Sequence, residues 1–264
     1  VKQQPARRTS LHKIAKPTFY TIRDNYNSIE QVQEALRKSG LEASQLIIGV
    51  DFTKSNTWTG KESFGGKCLH YFDGDCVNPY QRAISIIGRT LAPFDDDNMI
   101  PTYGFGDAHT TDKDCFSFFP NDRPCMGFEE VLVRYSQIAP GIALSGPTNF
   151  APLIYKAIEI VKQTRSYHIL VILADGLVTN KAQTIAAIEE ASKYALSIVM
   201  VGVGDGPWHL MEEFDDALPQ RAFDNFQFVP LNARLAAASD SGADSDAAFA
   251  MHALMECPEQ YKLI

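Results

Sequence analysis

The chain is poor in cysteine, with five in 264 residues, at positions 68, 76, 115, 125 and 257. None belongs to a C-x-x-C pair, so a zinc ribbon, a RING-type site and a dithiol redox motif are all excluded within this chain. Five unpatterned thiols suit a reducing compartment, and an intracellular, cytoplasmic protein is expected. Long apolar runs are also missing. No stretch approaches the ~20 residues of a membrane span, and no signal-peptide core follows the start. Catalytic signatures are scarce as well. The six histidines are scattered with no H-x-x-x-H, and there is no G-x-S-x-G, P-loop or pair of catalytic glutamates. Positive charge is in deficit, with a net charge of -8, which argues against nucleic acid as a partner.

What remains is a globular composition, 45% hydrophobic and 21% charged. The length suits one large α/β domain with extensions, or two small domains. Charge is uneven. Residues 1–23 carry six Lys/Arg and no acid, leaving -14 on the rest by subtraction from -8. This basic arm offers a weak contact to an anionic membrane surface or an acidic partner; a solvated leader is the simpler reading. The chain opens on Val1 rather than Met, as a piece of a longer protein would.

Leu46, Ile47, Ile48 and Val50 predict a strand buried on both faces. Tyr167 to Ala174 and Leu196 to Val203 predict two more, Met99 to Phe105 and Phe226 to Leu231 a further pair. Short strands are expected at Cys68 to Phe72 and Phe116 to Phe119. Between them lie helical patterns: a capping box at Ser28–Gln31 with a stop at Gly40, Asn78-Pro79 opening a helix through Leu91, and helices near 127–137, 152–163, 181–194 and 210–214. Alternation of strands and helices predicts an α/β, doubly wound, Rossmann-like domain with a mostly parallel central sheet flanked by helices. Residues 24–231 are assigned to it. Residues 232–264 read as an acidic linker, flexible from Ala233 to Asp246, then a helix from Ala247 to Met255 that Pro258 ends.

The first strand stops at Asp51, and Thr53 and Ser55 follow at alternate positions. An acid and two hydroxyls in one turn make poor core but good oxygen ligands for a small cation. In open α/β sheets, ligands bind beyond the carboxyl ends of the strands, where strand order reverses. Asp175 terminates a second buried strand, and the turn Gly146-Pro-Thr-Asn-Phe150 can present Thr148 to the same crevice. Asp51, Thr53, Ser55, Thr148 and Asp175 are therefore the expected metal ligands. The set is all oxygen, without His or Cys, and selects Mg²⁺ (or Mn²⁺) over zinc. The simpler alternative is that the acids cap helices and the hydroxyls satisfy turns. Gly202-x-Gly204-x-Gly206 lacks the third-glycine spacing of a dinucleotide loop and is read as a tight turn.

Asp51-x-Thr53-x-Ser55, Thr148 and Asp175-Gly176 resemble the metal-ion-dependent adhesion site of von Willebrand factor A domains. The chain also resembles the copine branch of that family, which includes copines and plant RING-domain ubiquitin ligases, and it lies closer to the ligases. The residues that carry this are DNYNSIEQVQEALRKSGLE at 24–42, VDFTKSN at 50–56, IPTYGFGD at 100–107, GPTNFAP at 146–152, VGVGDGPW at 201–208, RAFDNFQFV at 221–229 and ALMECPEQYK at 253–262. The resemblance implies about six strands wrapped by helices and docking of a protein partner that supplies a carboxylate to the metal. Thr53 stands where many members have Ser and keeps the hydroxyl. Neither a RING nor C2 domains are in the chain, so ligase activity and calcium-driven membrane binding are not expected of it.

The expected function is a Mg²⁺-dependent protein-binding module within a larger intracellular signalling or ubiquitination protein, with no catalytic residues of its own. The alternative is a fragment of a RING-type E3 ubiquitin ligase whose catalytic RING lies outside the chain. Metal-assisted phosphoryl or hydrolytic chemistry is a third reading, and it lacks a base or nucleophile beside the acids. Lys54 and Asn56 are expected at the rim. Trp58 and the aromatic-rich 57–72 segment lie beside it, either as partner surface or as packing over the sheet edge.

Overall fold

The computed structural model describes residues 28–263, apart from 75, 219 and 242–243. The basic arm at 1–23 lies outside the described residues. Six strands form the central sheet: β1 (Gln45–Asp51), β3 (Thr102–Phe105), β4 (Cys115–Ser117), β6 (His168–Ala174), β7 (Leu196–Gly202) and β8 (Phe226–Pro230). Their order is β4-β3-β1-β6-β7-β8. All neighbours are parallel except β3 and β4. β1 and β6 are adjacent, Ile48 facing Val171 and Val50 facing Leu173. From β1 the chain moves outward to β3 on one side, then returns across to β6 on the other. The order thus reverses between β1 and β6.

The central strands are buried on both faces, as their unbroken apolar runs require. Helices α1 (Ile29–Ser39), α2 (Pro79–Leu91) and α3 (Gly127–Ile138) join a core with Leu46, Ile48, Val50, Val171 and Val199. Helices α4 (Ala151–Thr164), α5 (Lys181–Ala191) and α6 (His209–Asp216) enclose a second core around Ile47, Leu170, Ile172 and Ile198. Alternate residues of each strand thus serve opposite layers. Helix α4 comes so close to β1 that a Cβ on Gly49 would stand 2.1 Å from Leu153 Cδ2. Helix α2 starts as its residues dictate. Asn78 Oδ1 accepts from Gln81 N at 2.9 Å, and Gln81 Oε1 accepts from Asn78 N at 3.0 Å, a reciprocal cap beside a proline at the first helical position.

Several expectations need correction. The run from Met99 to Phe105 is two strands. Pro101 breaks it, and β2 (Met99–Ile100) pairs antiparallel with β5 (Cys125–Met126) in a separate ribbon. Residues 68–72 form no strand. The largest difference is in the tail. Residues 233–246 are not a flexible linker: α7 (Leu231–Ser241) and α8 (Ser245–Leu254) cover most of them. Leu231, Leu235, Phe249 and Leu254 belong to the same core as α1 and α2. Burial of each such side chain contributes about 1.5–3 kcal/mol, which outweighs the linker-like composition. Pro258 does not end a helix. It sits at the second position of α9 (Cys257–Leu263), in the first turn where its missing N–H costs nothing.

The tail meets the domain through a group of acids. Glu256 lies between α8 and α9 beside the Gln227 side-chain amide, which, turned so that its nitrogen faces the acid, donates to the carboxylate oxygens at 2.9 and 3.0 Å. Burial, then the charge of Asp215, push Glu256 up to about 8; burial first also pushes Asp215 up to about 7. A carboxyl raised by folding contributes most stability below its unfolded pKa near 4, and that contribution is lost as pH rises towards the folded value. The protein is therefore expected to be less stable to urea at pH 8 than at pH 5. Glu256→Gln, which keeps the contact to Gln227, is expected to recover about 1–2 kcal/mol at pH 8 and almost nothing at pH 4. An equal gain at both pH values would refute the charge argument.

Candidate metal centre

The site lies at the carboxyl ends of β1 and β6, beside the reversal of strand order. Asp51, the last residue of β1, has no exposed surface. Its Oδ1 accepts the Thr53 N–H at 2.7 Å, and its Oδ2 is buried with no hydrogen-bond partner. The chain then enters a 3₁₀ turn at Lys54–Thr57. The hydroxyls of Thr53 and Ser55 face each other at 2.9 Å. Asp175 follows β6, where its Oδ2 accepts from the Thr59 hydroxyl at 3.0 Å and its Oδ1 from the Leu177 N–H at 3.2 Å. Thr59 Oγ1 also lies 3.0 Å from the Ser55 carbonyl oxygen, so it links the turn to Asp175.

Thr148 is buried on the loop before α4. Its N–H donates to Thr179 Oγ1 at 3.3 Å, and its carbonyl accepts from Thr179 N at 3.0 Å. The same loop reaches the end of β1, where the Ser145 carbonyl accepts from Lys54 N at 2.5 Å. Asp51, Thr53, Ser55 and Asp175 thus form one hydrogen-bonded group, and Thr148 lies on the loop stitched to both of its sides. Gly106, at φ +81°, borders the group. A Cβ there would stand 2.2 Å from Thr53 Cγ2, so a larger residue would displace the Thr53 side chain.

Electrostatics at the site are unfavourable by themselves. Burial, then the Asp175 charge, push the Asp51 carboxyl well above the usual range. Burial raises Asp175 too, against the hydrogen bonds from Ser55, Leu177 and Thr59. Two like charges held out of water with one orphaned oxygen need either a proton or a cation.

Beneath the site is a network that no spacing in the sequence announces. His70 is buried, stacked between Phe52 (ring centroids 4.8 Å apart) and Tyr80 (4.1 Å). Its Nε2 lies 2.7 Å from the Asp51 carbonyl oxygen. A carbonyl only accepts, so Nε2 carries the proton. Nδ1 then accepts from the Tyr135 hydroxyl at 2.8 Å. Burial pushes His70 down to about 3, which keeps the ring neutral. Asn56 is buried in the same network and is not a rim residue. Its side chain donates to the Thr53 carbonyl at 3.0 Å and accepts from the Tyr80 hydroxyl at 2.6 Å. Lys54 is exposed as expected. Thr59 had one sequence signal, a hydroxyl one helical turn after Ser55. His70, Tyr80 and Tyr135 had none, because distant elements bring them together.

The family model for copine matches residues 68–264. E3 ubiquitin-protein ligase RGLG2 of Arabidopsis thaliana is 56% identical over 257 residues, covering 92% of this chain and 54% of that protein. The chain belongs to the copine family. Copine family protein 2 of Caenorhabditis elegans is 45% identical over 282 residues, covering all of this chain and 4% of that protein. This copine chain spans about half the length of the first Arabidopsis relatives it matches. In structure it is similar to the manganese-loaded TRAP protein of Plasmodium vivax, with a TM-score of 0.50, 10% identity, and coverage of 75% of this chain and 72% of that one. That neighbour is a von Willebrand factor A domain, and the copine chain shares its mostly parallel sheet flanked by helices. Among the described residues no helix is long and apolar enough to cross a membrane, and all five cysteines are free thiols.

Proposed function

We propose that this chain is a Mg²⁺-dependent protein-binding module that docks a partner's carboxylate at a metal-ion-dependent adhesion site. The observation that carries the reading is the orphaned Oδ2 of Asp51, enclosed beside a second buried carboxylate. Asp51, Thr53, Ser55, Thr148 and Asp175 would hold the ion, as the notion of a hard, all-oxygen donor set requires. Mn²⁺ would suit the same donors. Asp51 keeps Oδ1 on the Thr53 amide, which leaves Oδ2 to face the ion or one of its waters. Asp175 is oriented by Thr59 and Leu177, and the hydroxyls of Thr53 and Ser55 supply neutral oxygens. A bound ion with few direct anionic ligands offers an electrophilic position to an acidic side chain of a partner.

Calorimetric titration tests this. Mg²⁺ is expected to bind the wild type with a saturable isotherm, and Asp175→Ala is expected to lose at least 10-fold in affinity. Equal binding by the two proteins would sink the assignment.

The family's E3 ligases supply a second reading, in which the module recruits substrates for ubiquitination within a longer protein. It draws on the names of relatives such as RGLG2.

A further inference from the structure

Seven large apolar side chains are exposed among the described residues, and three of them, Trp58 (55%), Tyr71 (41%) and Val77 (64%), fall in one segment above the candidate metal centre. Hydrogen bonds to the backbone bring the parts of that segment together. The Trp58 N–H donates to the Ser55 carbonyl at 2.9 Å, and its neighbour Thr59 touches the Asp175 carboxylate. The Leu69 N–H donates to the Asn56 carbonyl at 2.9 Å, which brings 69–71 alongside 56–58. Asn78 Nδ2 donates to the Tyr71 carbonyl at 3.4 Å, which draws in Val77. The Tyr71 ring lies 4.7 Å from Lys67 Nζ, and Lys67 is paired with Asp73. Lys54 and Lys61 are exposed beside Ser55 and Thr59, and neither is in an ion pair among the described residues.

From this arrangement we infer that the surface of Trp58, Tyr71 and Val77 binds a large apolar or aromatic residue of the partner, close in sequence to the acid that reaches the metal. The occupant is a short, acidic, apolar linear segment. The inference rests on the metal-docking function proposed above and specifies its ligand. Charge and shape both favour such a segment. Lys54, exposed between Thr53 and Ser55, suits an anionic ligand, whereas Lys61 is offset by the exposed Glu62 that follows it. Exposed Trp and Tyr at the centre of a small patch are the residue types that dominate binding energy. The buried network of His70, Tyr80 and Asn56 holds the base of the patch rigid, so little ordering is lost on binding. Three side chains are too few for stable insertion into a bilayer.

Panning a phage library of random peptides against the wild type in Mg²⁺, with elution by EDTA, tests the inference. Eluted sequences are expected to share an acid with Trp, Phe, Tyr, Leu or Ile within about four positions. A synthetic peptide of that sequence is expected to bind the triple variant Trp58→Ala, Tyr71→Ala, Val77→Ser at least 10-fold more weakly, while Mg²⁺ affinity by calorimetry stays within 2-fold. Eluted sequences with acids but no apolar enrichment, or equal affinity for the triple variant, would overturn this inference and leave metal docking intact. Absence of EDTA-eluted binders, or equal enrichment on Asp175→Ala, would overturn metal docking and this inference with it. Co-sedimentation of the wild type with phosphatidylserine vesicles, lost in the triple variant, would reassign the patch to lipid.

Discussion

In EDTA, Asp51→Asn is expected to melt at a higher temperature than the wild type; in excess Mg²⁺ it is expected to melt at a lower one. The reason is the opposed demands on one side chain. Asparagine keeps the Oδ1 that accepts the Thr53 amide and removes one of two neighbouring buried charges. Without metal that relieves about 1–3 kcal/mol of uncompensated burial, or a few degrees in Tm for a domain of this size. With metal the wild type gains about 2.7 kcal/mol at a ligand concentration of 100 Kd, and the variant forfeits most of it. A calorimetric scan of both proteins in both buffers decides the matter. The same sign of shift in the two buffers would mean that Asp51 is a structural residue.

Substitution of His70 is expected to have the other large effect. His70→Phe preserves the stack between Phe52 and Tyr80 but removes the short hydrogen bonds of the Asp51 carbonyl and the Tyr135 hydroxyl, leaving them only the longer ones from Asn56 Nδ2 at 3.5 Å and to Asn78 Oδ1 at 3.4 Å. A lost buried hydrogen bond costs about 0.5–1.5 kcal/mol where the group keeps another partner, so a loss of about 1–3 kcal/mol is expected in urea denaturation. Mg²⁺ affinity should fall by roughly 10-fold, as it does when residues supporting metal ligands are removed. His70→Ala, which also opens a cavity, should be less stable still. A His70→Phe protein that keeps both stability and Mg²⁺ affinity would show that the ring serves packing alone.

The parts of this molecule that could be read in advance are those written locally. Buried strands appear as unbroken runs such as Leu46 to Val50, and their ends appear as acids. That was enough to place Asp51 and Asp175 at the ends of buried strands; that those strands are neighbours across the reversal is seen only in the structure. The supporting layer was illegible because its logic is three-dimensional. His70 sits in a polar, glycine-rich stretch without periodicity, and only the packing of α2 and α3 makes it core. Asn56 looked like a rim residue because polar side chains usually are; two side-chain hydrogen bonds within the network make its burial tolerable. The tail departs from its composition for a related reason. Serine, alanine and aspartate resemble linker in composition, yet Leu231, Leu235, Phe249 and Leu254 are spaced to meet a surface that only the folded domain provides.

The buried tail also bears on how such a module can be inherited. A sheet whose last strand ends at Pro230 invites the view that the transferable piece ends there. Helices α7 to α9 share their core with the first two helices of the domain, so recombination between β8 and α7 would break one cooperative unit rather than join two. Gene fusions that place this module in proteins of very different length can therefore succeed only where the exchanged segment carries its terminal helices with it.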